Sequence, residues 1–168
     1  MRSVLGMLLV FATVAEAQMG HDLRPALGID APEGYESVAA SDGSGLPPGR
    51  GTVQAGREIY LTQCAACHGV DGQLRGNALV GGAGTLATAS ALKTVGSYWP
   101  YATTLFDYVK RAMPYGNEKT LSDSQVYAVT AYVLHLNGLL AMDAQLSAQT
   151  LVNVKMPNRD GFVRAQQP

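Results

Sequence analysis

Both cysteines of this chain fall inside one pentapeptide, Cys64-Ala65-Ala66-Cys67-His68. Two thiols three positions apart, with an imidazole directly behind the second, form the attachment signature of a covalent c-type haem. Each thiol can form a thioether to a vinyl-derived carbon on one porphyrin edge, and the histidine can turn a ring nitrogen onto iron. The motif thus supplies a cofactor, its anchoring mode and a first axial ligand together. Other uses of the same residues fit less well. A structural zinc site needs four ligands and would have to recruit His68 together with the distant His21 or His135. A thioredoxin-like Cys-x-x-Cys should follow a strand of a mixed sheet, and no such pattern surrounds it.

The length of 168 residues is that of one domain with extensions. With 19 glycines and 8 prolines, long helices are not expected to cover the whole chain. Lys and Arg number 12 against 13 Asp and Glu, so no basic surface calls for a nucleic-acid partner. Residues 1–17 read as a secretory signal: Arg2, an apolar run from Val4 to Val14, then Ala15-Glu16-Ala17, with cleavage expected after Ala17. The apolar run is far shorter than the roughly 20 residues that cross a bilayer, so the mature chain is expected to have no membrane span. Export also suits thiols that must be handled outside the reducing cytoplasm, and the periplasm is the expected compartment.

Residues 18–52, rich in glycine and proline, read as an extended arm or linker. From Val53 the pattern becomes helical, with Val53, Gly56, Tyr60 and Cys64 on one face. Gly56 and Tyr60 are expected to seat a C-terminal helix. Residues 69–90 should form a glycine-rich loop against the porphyrin. A second helix runs through Leu105, Phe106, Val109 and Ala112, with Pro100 in its first turn and Lys110 and Arg111 in its last. Those two cations are also candidates to steer an acidic partner.

Pro114 should end that helix at Met113, whose thioether is a candidate sixth ligand; Met156, which also precedes a proline, is the alternative. Tyr98 or Trp99 is expected to hydrogen-bond a haem propionate. Leu121 to Val126 form a helix start with Ser122 as cap and Gln125 returning the bond, and Asn137-Gly138 form the stop. His135 lies in this last helix and reads as a packed or partly exposed residue. Residues 139–168 read as a tail that packs on the domain or on a partner, with Met156-Pro157-Asn158-Arg159-Asp160-Gly161-Phe162 as a turn and an aromatic anchor.

Taken together, Gly56, Tyr60, the attachment motif, Met113-Pro114 and Tyr132 resemble the class I cytochrome c family over residues 53–138. The resemblance implies an all-α class I cytochrome c fold carrying an N-terminal arm and a C-terminal tail. It also implies one covalent haem c on Cys64 and Cys67, with His68 proximal and Met113 distal. The run from Val95 to Val109, with Arg111-Ala112-Met113-Pro114, Tyr127 to Leu134 and Lys155 to Phe162, is similar to the haem subunits of periplasmic sulfite or sulfane-sulfur dehydrogenases. That similarity implies a molybdenum-cofactor dehydrogenase subunit as electron donor and a soluble cytochrome c as acceptor. Some members carry a second haem domain, whereas this chain has one attachment motif. The function expected is one-electron transfer without catalysis by the chain itself. A carrier in another respiratory chain, a ligand-binding or peroxidatic haem protein and a haem serving as a folding staple are the alternatives.

Overall fold

The computed structural model describes residues 37–163. The elements in order are strand β1 (Arg50–Thr52), helices α1 (Val53–Gln63), α2 (Ala65–His68), α3 (Ala102–Ala112) and α4 (Asp123–Leu136), strand β2 (Gln145–Ser147) and helix α5 (Ala148–Leu151). The helices carry the architecture. β1 and β2 form a small antiparallel pair in which Gly51 faces Leu146. Three-residue strands have no readable period, and the sequence expectation contained no sheet.

α1 begins where Thr52 accepts the Ala55 N–H through its side chain, a cap that satisfies one of the first turn's free donors. Its buried residues are Val53, Gly56 and Tyr60, and this face lies on α4. A Cβ at Gly56 would run into the Ala128 carbonyl and crowd Tyr132, so only glycine allows the two backbones to approach this closely. One turn on, the Tyr60 ring meets the edge of Tyr132 at 5.2 Å between centroids.

α4 is enclosed through most of its length, with Val126 to Leu134 all buried. Ser122 and Gln125 exchange side-chain and backbone bonds at its start, the expected capping box. At its end Gly138 has φ +70, and its N–H and that of Leu139 return to the carbonyls of His135 and Leu134. This pair of bonds closes the helix in a Schellman turn. α3 starts at Ala102, so Pro100 precedes the helix instead of occupying its first turn. Its last turn is tied on two sides: Lys110 pairs with Asp123 at 2.6 Å, and Arg111 with Asp107 at 2.9 Å. The two cations considered for partner steering are thus held within the fold.

The segments on either side of residues 53–138 share this core. Tyr127 donates its hydroxyl to the Pro47 carbonyl, and Asp107 accepts the Ala39 N–H. Leu146, Leu151, Val154 and Met156 are buried in the same cluster as Tyr60, Phe106 and Val129. The candidate signal peptide and His21 lie outside the described residues.

Candidate haem site

A cavity of about 510 Å³ opens where the α1–α2 corner faces α3 and α4, well within the span of about 300–1,000 Å³ found for small-molecule sites. Cys64, Cys67 and His68 reach it from the corner, and Met113 from the end of α3. Leu105, Val109, Val129 and Val133 give it an apolar wall. Residues 45 or more positions apart in sequence thus meet because Gly56 lets α1 close on α4 while α3 packs on α4's other flank.

His68 ends the one-turn helix α2, and its Nδ1 donates to the Asn77 carbonyl at 2.7 Å. A carbonyl can only accept, so the proton sits on Nδ1 and the lone pair on Nε2, the tautomer suited to metal ligation. Immediately after it, the Gly69 carbonyl accepts the Tyr60 hydroxyl at 2.9 Å. Before any attachment, burial, and secondarily Cys67, pushes the Cys64 thiol up to about 11. Cys67 is exposed, and the two cysteines are not bridged to each other. Met113 leaves α3 in extended conformation (φ −127, ψ 150) and is half-buried.

The second methionine is placed differently. Met156 is 3% exposed and packed in the core cluster, and it contributes nothing to the cavity wall. Trp99 lines the cavity and meets Tyr108 edge-on at 5.7 Å. Tyr98 does not line it: its ring lies against Phe162 and beneath Lys93. The pair named as propionate donors is split because neighbouring side chains outside a helix leave the backbone in different directions. His135 also stays away from the cavity, with Nδ1 donating to the Leu140 carbonyl at 2.8 Å.

Two contributors to the site had no sequence signal. The Asn77 carbonyl that orients His68 is a backbone atom, and Lys93 is one lysine in a loop with no motif around it. Among the described residues no group of three His, Cys, Asp or Glu side chains is arranged to hold a bare metal ion. The donor set fits a haem instead. An imidazole and a thioether face one apolar space with two thiols at its edge, the mixture of soft and borderline ligands that suits iron in a porphyrin.

Residues 53–137 match the cytochrome c family. The chain belongs to that family. As a cytochrome c with a single Cys-x-x-Cys-His motif, it carries one covalently bound haem c. The chain is 32% identical over 89 residues to a thiosulfate dehydrogenase of Stutzerimonas stutzeri (strain A1501). That match spans 52% of this chain and 28% of the dehydrogenase, so the chain accounts for little more than a quarter of the relative's length. The structure is also similar to a chain in the crystal structure of the sulfane dehydrogenase SoxCD from Paracoccus pantotrophus. There the TM-score is 0.77 and the identity 37%, covering 89% of this cytochrome and 73% of the SoxCD chain. Among the described residues no helix is long and apolar enough to cross a membrane.

Proposed function

We propose that this cytochrome is a periplasmic one-electron carrier. In this reading it takes electrons from a molybdenum-cofactor subunit that oxidises sulfite or sulfane sulfur and hands them to a soluble cytochrome c. The observation that carries the reading is the extent of likeness to SoxCD: 37% identity over 89% of the chain reaches well beyond residues 53–137 into both flanking segments. A generic cytochrome c domain would share the domain and not the flanks.

When bound, the haem supplies an iron that cycles between ferric and ferrous states. Cys64 and Cys67 would hold the group covalently at the α1–α2 corner, beside His68. His68 would hold the iron through Nε2, its imidazole oriented by the Nδ1–H bond to the Asn77 carbonyl. Met113 supplies the thioether, which favours the reduced state relative to a second nitrogen ligand. The apolar wall from α3 and α4 keeps water off the ring and limits rearrangement between oxidation states. A peroxidatic role would need an open coordination position, and Met113 stands in the same cavity as His68.

The test is co-purification from native periplasm with metal analysis, followed by sulfite- and thiosulfate-dependent reduction. Reduction of the haem only when a molybdenum-containing subunit accompanies the cytochrome is the expected result. A cytochrome that always isolates alone and is never reduced in this way would overturn the partner assignment. For the ligands, Met113→Ala should abolish the weak far-red sulfur-to-iron band of the ferric protein, and persistence of that band would exclude Met113.

A further inference from the structure

Lys93 is the one Lys or Arg among the described residues that line the cavity. A haem brings two propionate carboxylates, and anionic groups at the edge of an apolar cavity need a cationic or hydrogen-bonding partner. Lys93 is exposed, and a lysine on an open loop has no reason to keep one position. Here it has a seat: its ammonium lies 5.1 Å from the centroid of the Tyr98 ring. Tyr98 is in turn fixed by the chain's far end. Asn158 Nδ2 donates to the Tyr98 carbonyl at 2.7 Å, and Phe162 packs edge-on against the Tyr98 ring at 5.3 Å. Arg159 lies 4.5 Å above the ring of Tyr101, so the same turn touches residues before and after Trp99 in the chain, and Trp99 itself lines the cavity.

We propose that the segment 156–162 is a positioning element for the polar rim of the haem site, and that Lys93, seated through Tyr98, is the cationic partner of the propionates. The inference rests on the haem reading of the cavity. It gives the tail, which lies beyond the matched domain, an effect on the redox centre that passes through Tyr98 and Lys93. A fixed positive charge near the ring favours the form of the iron with one less positive charge, so Lys93 raises the midpoint potential. Asn158 acts only through where it holds Tyr98 and Lys93.

The experiment uses the full-length holoprotein, with covalent haem verified by mass and midpoint potentials measured at low ionic strength, where an exposed charge is least screened. Lys93→Gln should lower the equilibrium constant for reduction three- to tenfold, roughly 30–60 mV at about 59 mV per tenfold for one electron, and Lys93→Arg should restore it. Asn158→Ala should shift the potential in the same direction when Lys93 is present and have no further effect in Lys93→Gln. Such non-additivity marks coupling through a shared contact, which a merely structural role for Asn158 would not produce. Haem-loaded Lys93→Gln with an unchanged potential overturns the assignment of Lys93. Additive shifts for Asn158→Ala and Lys93→Gln overturn the positioning role. If Lys93→Gln fails to mature, Lys93→Met gives the same reading. A wild-type protein without covalent haem would instead remove the reading on which the inference stands.

Discussion

Gly56 and Tyr60 sit one helical turn apart on α1, and each is fixed by what α4 presents to it. At Gly56 it is the Ala128 carbonyl that leaves no room for a methyl group. Gly56→Ala would gain helix propensity of roughly 1 kcal/mol, but the α1–α4 contact must open to admit the new atom. Overpacking of this kind costs about 1–3 kcal/mol, and with backbone as the obstacle the upper part of that range applies. A denaturant midpoint shifted downward by a net destabilisation checks it; a midpoint at or above the wild type would mean that the helices can slide apart freely. Tyr127 gives a second prediction. Burial, and secondarily Asp123, pushes its hydroxyl up to about 12, while the unfolded chain ionises near pH 10. Between those values the unfolded state has lost the proton and the folded state still holds it, so stability is full below pH 10 and falls as pH rises toward 12. Tyr127→Phe should flatten that alkaline decline in a urea titration across pH, while costing about 1 kcal/mol at neutral pH for the bond to Pro47. Residues such as Gly56, Tyr60 and Tyr132 were legible in the sequence because side-chain identity and spacing carry their contacts, and the placing of Met113 at the end of α3 was legible from Pro114. The Asn77 carbonyl and Lys93 were not, since a backbone acceptor has no residue signature and a single loop lysine resembles any solvated one.

α3 shows how an element can be readable in pattern and misread in its attachments. Its apolar spacing and the stop before Pro114 were plain, and it does end at Ala112 with Met113 extended beyond it. Its start lies two residues later than Pro100 suggested, since Tyr101 is the extended residue that precedes the first turn. The larger difference is in its charges. Lys110 and Arg111 looked like a free basic end, but Asp123 and Asp107 hold them, the latter also receiving the Ala39 N–H. Asp107 therefore fastens residues 37–39 to the helix that delivers Met113, because Arg111 also donates to the Ser37 carbonyl at 2.8 Å. Removing it takes the carboxylate away from the Arg111 guanidinium, which keeps its bond to the Ser37 carbonyl, and away from the Ala39 N–H. Asp107→Ala should destabilise by about 1–3 kcal/mol, and limited proteolysis should cut the stretch before β1 markedly faster than in the wild type. Unchanged cleavage would show that the other contacts of this stretch suffice to hold it. The sheet was illegible for a different reason: β1 and β2 are separated by more than 90 residues, and pairing over that distance leaves no local trace.

At the scale of the whole molecule, the matched domain and the folding unit do not coincide. The family match ends at residue 137, yet Leu146, Leu151, Val154 and Met156 are all buried and belong to the cluster formed by α1, α3 and α4. β2 pairs with β1 immediately before α1, and the Ala144 carbonyl accepts the first N–H of α1 at Val53. Cutting the chain after Gly138 would expose the faces these residues cover. Burying a side chain of this size contributes about 1.5–3 kcal/mol, so four of them together approach the 5–15 kcal/mol that separates folded from unfolded states in a domain. Covalent haem adds stability of its own, so the effect is clearest as a comparison of truncated and full-length holoproteins. The truncated protein should melt at a much lower temperature, with loss of helical signal by circular dichroism and without a change in the mass of the attached haem. A truncated holoprotein that melts with the full-length chain would mean that residues 139–163 lie on the domain without supporting it. The 44 residues between His68 and Met113 would then be held by α1, α3 and α4 alone.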